Sequence, residues 1–392
     1  MEHLVFSRTL PEKYRADVCV VGGGAAGIAA AVAAARQGVK VLLIEAQYCF
    51  GGLQTAGLAS LRLGNRAPEG ALQQEIQERL RAYEAKFSAL LPECLKRVYE
   101  DMLADAGVQY VLGVQLVDAV VRNHKIQFCV LAGKSGLYTA QADVYIDCTG
   151  DGSLAVCAGA PFALGDGNGS ASSVSLYGLW AGVDFTRAGA FHGPKTEWVS
   201  MAPSVASGNS GAIPCEDITD ERALTVALIR GRRGFDKCMI PSASAEKRSS
   251  SHLLAASASL MCARESRRIV GEYCLTQTDF QRHTVFDDAI AWCCETGEAG
   301  QAAEESQGCS VPYRILLPQG TSNLLAAGRC VSTDRFMHAI MQQTPLCYWT
   351  GQAAGMAAAW CSREKSALRE ANLQSIQREL RPNGVAIPQN KG

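Results

Sequence analysis

The stretch Asp17-Val-Cys-Val-Val-Gly-Gly-Gly-Ala-Ala-Gly27 decides how this chain is read. Its first five residues form a short apolar strand, and Gly22, Gly24 and Gly27 follow at G-x-G-x-x-G spacing. An alanine-rich run to Gln37 then reads as a helix that Gly38 stops. The next strand, Lys40-Val-Leu-Leu-Ile-Glu45, completes a βαβ unit, which requires a parallel sheet and a right-handed crossover. The three glycines provide, in turn, a tight bend, room for backbone to approach a pyrophosphate, and close helix-to-strand packing. The helix points its N–H groups and positive dipole end at that pyrophosphate. Taken alone, the triplet could be a glycine turn between packed elements. Here the strand before it, the helix after it and the acid closing the next strand, about 20 residues on, meet the conditions for dinucleotide binding. Glu45 can accept hydrogen bonds from both ribose hydroxyls and argues against a 2′-phosphate.

Outward from this unit, Gly70 to Ala106 reads as two amphipathic helices broken near Leu91-Pro92. Alternating strands follow from Val108 to Ile146, with Val117 to Val121 and Lys125 to Val130 split by Asn123-His124 as an antiparallel meander. Val144-Tyr-Ile-Asp147 runs into Cys148-Thr-Gly-Asp-Gly152. Between about Pro161 and Gly308 the character changes to Gly/Ser-rich stretches, at Gly165 to Ser173 and Ala206 to Gly211, and one strong helix from about Ser251 to Leu275. Ser310 to Leu317 and Asn323 to Ala327 read as sheet, then a helix from about Gly351 to Cys361. The expected organisation is α/β: the first part of a dinucleotide-binding domain in residues 1–160, a substrate domain in 161–309, and the second part of the dinucleotide-binding domain with C-terminal helices in 310–392.

Composition narrows the function. The 392 residues are 48% hydrophobic and 19% charged, which disfavours disorder and implies a large buried core. A net charge of −1 without long runs of one sign gives no footprint for nucleic acid or anionic lipid. Residues 1–15 lack a secretory pattern, and the most apolar helix-like run, Gly27 to Ala35, is far short of the roughly 20 residues of a bilayer span. A cytoplasmic protein without membrane segments is expected. The 16 cysteines are scattered, without a C-x2-C pair, so they read as small buried hydrophobes; no metal or iron–sulfur site is expected.

Five segments together resemble the FAD-dependent oxidoreductase family of the glutathione-reductase-like superfamily, distantly similar to succinate dehydrogenase and fumarate reductase flavoproteins. They are Glu45 to Gly57 (EAQYCFGGLQTAG), Ile146 to Ala160 (IDCTGDGSLAVCAGA), Arg264 to Leu275 (RESRRIVGEYCL), Val311 to Pro318 (VPYRILLP) and Asn323 to Ala359 (NLLAAGRCVS through PLCYWTGQAAGMAAA). The resemblance implies a glutathione-reductase-like FAD-binding domain of Rossmann type with an inserted α+β substrate domain, and FAD as cofactor. It implies that Gly22, Gly24, Ala25, Ala26 and Gly27 hold the pyrophosphate, Glu45 the adenosine ribose, and Gly51-Gly52 the backbone passing the flavin. Leu116 would offer its main chain to adenine, and Thr149, Gly150 and Asp151 would lie near the nucleotide. Gly328-Arg329 would form a second pyrophosphate turn, and Gly351-Gln352 would open a helix aimed at the isoalloxazine.

Flavin chemistry also needs a proton carrier and a substrate anchor. Arg335, His338 and Gln342, with Gln343, lie on the connection that must pass the ring, and His338 is its sole histidine. A structural hydrogen-bonded histidine is the competing reading. The family usually has histidine where Arg335 stands and arginine where Gln342 stands, so a relative's mechanism does not carry over. Arg264 and Arg268, four apart on the expected helix, would clamp an anion or pair with Glu265 or Glu272. Arg314, after Tyr313, is a further candidate in the same polar layer, and Cys330 reads as core.

One complete nucleotide fingerprint is present, since Gly165-x-Gly167-x-Gly169 lacks strand and helix. Electrons would therefore come from a small organic substrate, a transient NAD(P)H or a separate electron-transfer protein, and an oligomer stays open. A non-redox flavoprotein, such as an isomerase, hydratase or cyclase, is the second reading; a nucleic-acid-modifying or regulatory FAD protein is the third.

Overall fold

A computed structural model describes residues 5, 7–59, 70–87, 91–165, 172–183, 199–202, 204–239, 253–294, 308–381 and 387. Strand β1 (Glu12–Val21), helix α1 (Ala25–Arg36) and strand β2 (Val41–Glu45) form the expected βαβ unit, with β1 and β2 parallel and Val18 opposite Val41. Gly38 leaves the helix at φ +82°, which a glycine adopts without steric cost. Helices α2 (Ala71–Phe87) and α3 (Leu91–Asp105) follow, with Pro92 in the first turn of the second, where its missing N–H is no loss.

Strand β3 (Gln109–Leu112) pairs parallel with β2. Then β4 (Gln115–Arg122), β5 (Lys125–Gly133) and β6 (Gly136–Asp147) make the antiparallel meander, with Asn123 and His124 both at positive φ in the first turn. From Thr139 to Asp147, β6 also lies parallel to β1, so the meander and the βαβ unit share one strand in a seven-stranded sheet. Alternation along these strands divides the core. Val18, Val20, Leu43, Val144 and Ile146 face α1, whereas Cys19, Val21, Leu42, Ile44 and Tyr145 face the meander and helix α4 (Ser153–Cys157).

The next region is mostly strand. Strands β7 (Phe162–Leu164), β8 (Ser172–Ser175), β9 (Tyr177–Ala181), β10 (Val199–Ala202), β11 (Val205–Asn209) and β12 (Ile213–Cys215) precede helix α5 (Glu221–Met239). Strands β13 (Leu253–Ser257), β14 (Cys262–Ala263) and β15 (Arg267–Ile269) follow. They form a four-stranded sheet β10-β11-β9-β13, a three-stranded sheet β12-β8-β14 and the pair β15-β7. The helix expected over 251–275 is therefore absent from the described part of that span. Leu253–Ser257 alternates exposed and half-buried because β9 supplies a ladder partner, and pairing overrides the helical propensity of its Leu and Ala. Gly167 and Gly169 of the incomplete glycine motif lie outside the described residues.

Helix α6 (Gln277–Gln281) carries a Thr276/Asp279 capping box, and the antiparallel pair β16 (Ala289–Cys294) and β17 (Gly308–Pro312) comes next. Tyr313–Leu316, expected as strand, is a 3-10 turn that lets the chain swing from β17 back to the main sheet. There β18 (Leu324–Ala326) pairs parallel with β6. Helices α7 (Arg335–Met341), α8 (Thr344–Glu364) and α9 (Leu373–Leu380) follow. Among the described residues no helix is long and apolar enough to cross a membrane, and no cysteine is in a disulfide.

Candidate active site: a dinucleotide cradle between four turns

Four turns meet at the carboxyl ends of β1, β2, β6 and β18. In the first, Gly22 has φ +99°, and a Cβ there would stand 2.5 Å from the Cys148 carbonyl oxygen, so the position requires glycine. A Cβ on Gly27 would stand 1.8 Å from the Gly22 oxygen, which is the close strand-to-helix packing the motif provides. Gly24 differs: nothing lies within 4 Å of a Cβ built there. Its backbone borders open space at the N-terminus of α1, where a ligand's diphosphate would approach.

The second turn supplies the acid. Glu45 is 7% exposed; Oε2 accepts from Gly23 N at 2.5 Å and Oε1 from Gln47 N at 2.6 Å. Each carboxylate oxygen keeps further acceptor capacity for a sugar hydroxyl. Burial raises the Glu45 carboxyl above the usual range, against the hydrogen bonds from Gln47 and Gly23. Just beyond, Gly51 N donates to Gly23 O at 2.8 Å, and a Cβ on Gly52 would come within 3.3 Å of Gly24 Cα. The Gly51-Gly52 loop thus lies against the glycine turn.

The third and fourth turns are joined by charge. Buried Asp147 accepts from Thr149 N, Thr149 Oγ1 and Ala155 N, shaping the turn through Gly150, which has φ +78°. Burial pushes the Asp147 carboxyl up, and these donors oppose that shift. Arg329 Nη2 donates to Asp151 Oδ1 at 2.6 Å, Ser266 Oγ donates to the same carboxylate at 2.7 Å, and a Cβ on Gly150 would lie 3.1 Å from that guanidinium. Gly328, at φ +81°, donates its N–H to Thr350 Oγ1 and sits against Ala26. The glycine, Glu45, Thr149–Asp151 and Gly328-Arg329 positions therefore come together. Leu116 lies half-buried on β4, two residues past Val114, whose N–H binds Glu45 O.

Gly351-Gln352 does not open a helix. Helix α8 begins at Thr344, with Gln343 as N-cap and Pro345 in its first turn, so Gly351 lies two turns inside. Its hydrogen side is pressed on α1 because the two helices cross too closely for a side chain. The helix N-terminus that can meet a ligand is instead at Thr344 and Leu346, whose N–H groups have no acceptor within the helix.

The catalytic candidates separate. Arg335 is paired with Glu265 at 3.0 Å, and Arg268 shares that carboxylate at 3.1 Å, so local pairing prevails over an anion clamp. Arg264 and Arg268 do not share a helical face, since this span is turn and strand. Arg314 lies on the surface, bonded to Asp288 and stacked over Tyr273 and Phe286. Gln342 is half-exposed at the end of α7, its side chain on Ala339 O. His338 is 2% exposed and bonded through Nε2 to Arg264 O. Cys330 is buried, and burial raises its thiol well above the usual range, as a core residue's should be.

Sequence patterns do not reveal one buried network. Tyr99 Oη donates to Gln54 Oε1 at 2.7 Å and lies 2.5 Å from Tyr348 Oη, tying α3, the loop after Gly52 and α8 together. Its signal is weak, because isolated Tyr and Gln at helix positions carry no periodic mark. Thr350, on the same face of α8 as Leu346, and Ser266 escape notice for the same reason.

These residues fit FAD. The open space at Gly24, the acceptors of Glu45 and the free end of α8 supply what a diphosphate, a ribose and a reducible ring require. Thiamine thiazole synthases of Pyrobaculum aerophilum and Methanococcus vannielii are 30% identical over 122 and 151 residues, which are 29% and 34% of this chain and 44% and 56% of theirs. The chain spans about half the length of these curated relatives. The solved p-nitrophenol 4-monooxygenase of Pseudomonas putida shares the fold, with TM-score 0.51 at 12% identity over 95% of this chain and 88% of that one. The model of the FAD dependent oxidoreductase family matches residues 17–188 and 222–380, most of the sequence; the chain belongs to this family of enzymes, and FAD is its cofactor.

Proposed function

We propose that this chain transfers hydride between a small organic substrate and bound FAD. The observation that carries the reading is the convergence of Gly24, Glu45 and Arg329 on one cradle whose far end is the N-terminus of α8. Bound FAD would supply two-electron redox chemistry. The protein's share is to hold the diphosphate at Gly22, Gly24, Ala25, Ala26, Gly27 and Gly328-Arg329, and the ribose at Glu45. Thr344 and Leu346 would place partial positive charge beside the ring, which stabilises negative charge developing there. Gly51, Gly52, Thr149, Gly150, Asp151 and, on β4, Leu116 complete the cofactor set. Gln352, buried within α8, would belong to the same set.

Residues 161–309 would form the substrate domain between the two cofactor-binding parts, 1–160 and 310–392. Arg335 and Gln342 would meet the substrate from α7. Electrons would pass from the substrate, a transient NAD(P)H or a separate protein. A cytoplasmic setting accords with cysteines that carry no disulfide among the described residues. The visible spectrum of the purified protein, followed by anaerobic reduction with amines, hydroxy acids, enoates and NAD(P)H, tests this. We expect a yellow protein whose flavin band bleaches with one class. A colourless protein that ignores added FAD defeats the reading.

The relatives named as synthases favour one second reading, a flavoprotein without net redox. Turnover of a substrate with no bleaching would select it.

A further inference from the structure

Helix α5 turns one face inward and the other to solvent. Ala227, Gly231 and Phe235, four apart, are buried, and a Cβ on Gly231 would stand 3.0 Å from the side chains of both Ile213 and Leu176. Phe235 meets Trp180 edge to face, with ring centroids 5.2 Å apart. These contacts fix the rotation of the helix. At about 100° per residue, the opposite side carries Arg222, Val226, Ile229 and Arg233 in one line, with Arg230 and Arg232 on its two flanks. Val226 and Ile229 are 46% and 43% exposed, and all four arginines are exposed. None of the four is in an ion pair among the described residues. After Glu221 at its start, the helix holds no acid as far as Arg233.

An apolar pair enclosed by four guanidiniums has the anatomy of a protein interface: apolar at the centre, charged at the rim and rich in arginine. Its charge decides what can cover it. A second copy of the same face would set arginine against arginine, and like charges juxtaposed across an interface oppose binding. A bilayer needs a broad apolar face, and that of α5 is spent on the protein core. Phosphates of a nucleic acid would use the arginines and leave the apolar centre without a role. A helix with an apolar seam and acids on either flank matches both parts. The spacing of four, three and four from Arg222 to Arg233 is that of a seam between two packed helices, where flanking charges select the partner. Carboxylates also pair bidentately with guanidinium groups. We infer that this face of α5 is the docking site for an acidic amphipathic helix of a partner protein. Val226 and Ile229 pack into the partner's seam, and Arg230 and Arg232 pair with its flanking carboxylates. From Arg222 to Arg233 the face is about 16 Å long, so a partner helix of roughly three turns covers it. Docking there makes no use of bound FAD.

The test uses the full chain and a labelled synthetic peptide of three heptads, with leucine at the two seam positions and glutamate at the two flanking ones. Binding is read from fluorescence anisotropy and from the helical circular dichroism that the peptide gains on mixing. Wild type should bind it saturably. Val226→Ser/Ile229→Ser should weaken binding roughly tenfold or more, as loss of the central contacts of an interface predicts. Arg230→Glu/Arg232→Glu should lose the acidic peptide and gain a second peptide that carries lysine at the flanking positions. Absence of saturable binding overturns the inference. So does binding that Val226→Ser/Ile229→Ser leaves unchanged, which is charge attraction without a seam. Tighter binding of phosphatidylserine vesicles or single-stranded RNA through the same arginines would assign the face to another class of partner and overturn it too. Self-association in sedimentation that Ile229→Arg disperses would do so in favour of a second copy. Should a variant fail to fold, wild type alone decides: it must bind the acidic peptide, and refuse both the lysine peptide and an acidic one with serine in its seam.

Discussion

Gly351 faces the carbonyl oxygen of Ala26 so closely that a Cβ built on it would stand 2.2 Å from that oxygen. One turn on, Gly355 meets Ala30 O at 2.3 Å in the same way. Glycines four apart on α8 lie against alanines four apart on α1, and this crossing sets where both helices begin. The start of α1 is the diphosphate turn, and Thr350, next to Gly351, holds Gly328. The crossing therefore aligns the two nucleotide turns with the end of α8. Gly351→Ala should cost about 1–3 kcal/mol of stability by overpacking and lower FAD occupancy together with it. Thermal unfolding with and without added FAD checks this; an unchanged midpoint would show that the helices can separate freely.

Gly24 is the opposite case, since open space borders its Cα and its φ of −73° suits any residue. Gly24→Ala should fold normally. Gly24→Asp should fold too, yet place a carboxylate where the diphosphate belongs and abolish flavin binding. Circular dichroism and the absorbance ratio of flavin to protein separate the two effects. Retained yellow colour at full occupancy would contradict the placement.

This contrast shows what can be read from residues alone. The βαβ unit is legible because turn, strand alternation and acid all lie within one short segment, Asp17 to Glu45, where local chemistry suffices. The pairing of Asp151 with Arg329 is legible only as two separate turns, since nothing local to either says that they touch. The 251–275 span reads wrongly as helix because Leu253, Leu254, Ala255 and Ala256 favour helix in isolation, while the partner strand β9 lies far back in the sequence. The start of α8 has a local signal, Pro345 in its first turn, but the glycines at 351 and 355 look more like a helix start when they mark a crossing.

Glu45 should discriminate by pH. Its buried carboxyl titrates above the usual range in the folded protein. The folded state without ligand therefore holds that proton more firmly than the unfolded chain. This term destabilises as pH rises through the window above the ordinary glutamate value, and it is relieved at lower pH. Ribose binding runs the other way, because the ionised carboxylate is the better acceptor. Glu45→Gln should weaken FAD binding by about 10- to 100-fold, the effect of one or two hydrogen bonds to a charged group. Binding titrations from pH 5 to 8 should show affinity rising with pH in wild type and flat in the variant. Parallel profiles would remove Glu45 from the ribose site.

His338 should leave a separate mark on acid stability. Burial lowers its folded value from 6.5 to about 4, Arg329 and Arg268 push the same way, and the bond to Arg264 O with the charge of Glu265 opposes them. The unfolded chain therefore binds the proton first. Stability is full above about 6.5 and falls as pH drops, until the folded imidazole also protonates near 4. The whole window is worth about 3 kcal/mol. Urea midpoints at pH 7.5 and 4.5 for wild type and His338→Leu isolate this term, since every other acid is common to both. Wild type should lose more stability than the variant across that interval, by most of the stated amount. Equal losses would mean that the imidazole protonates in place, which its surroundings of Arg329 and Arg268 should forbid.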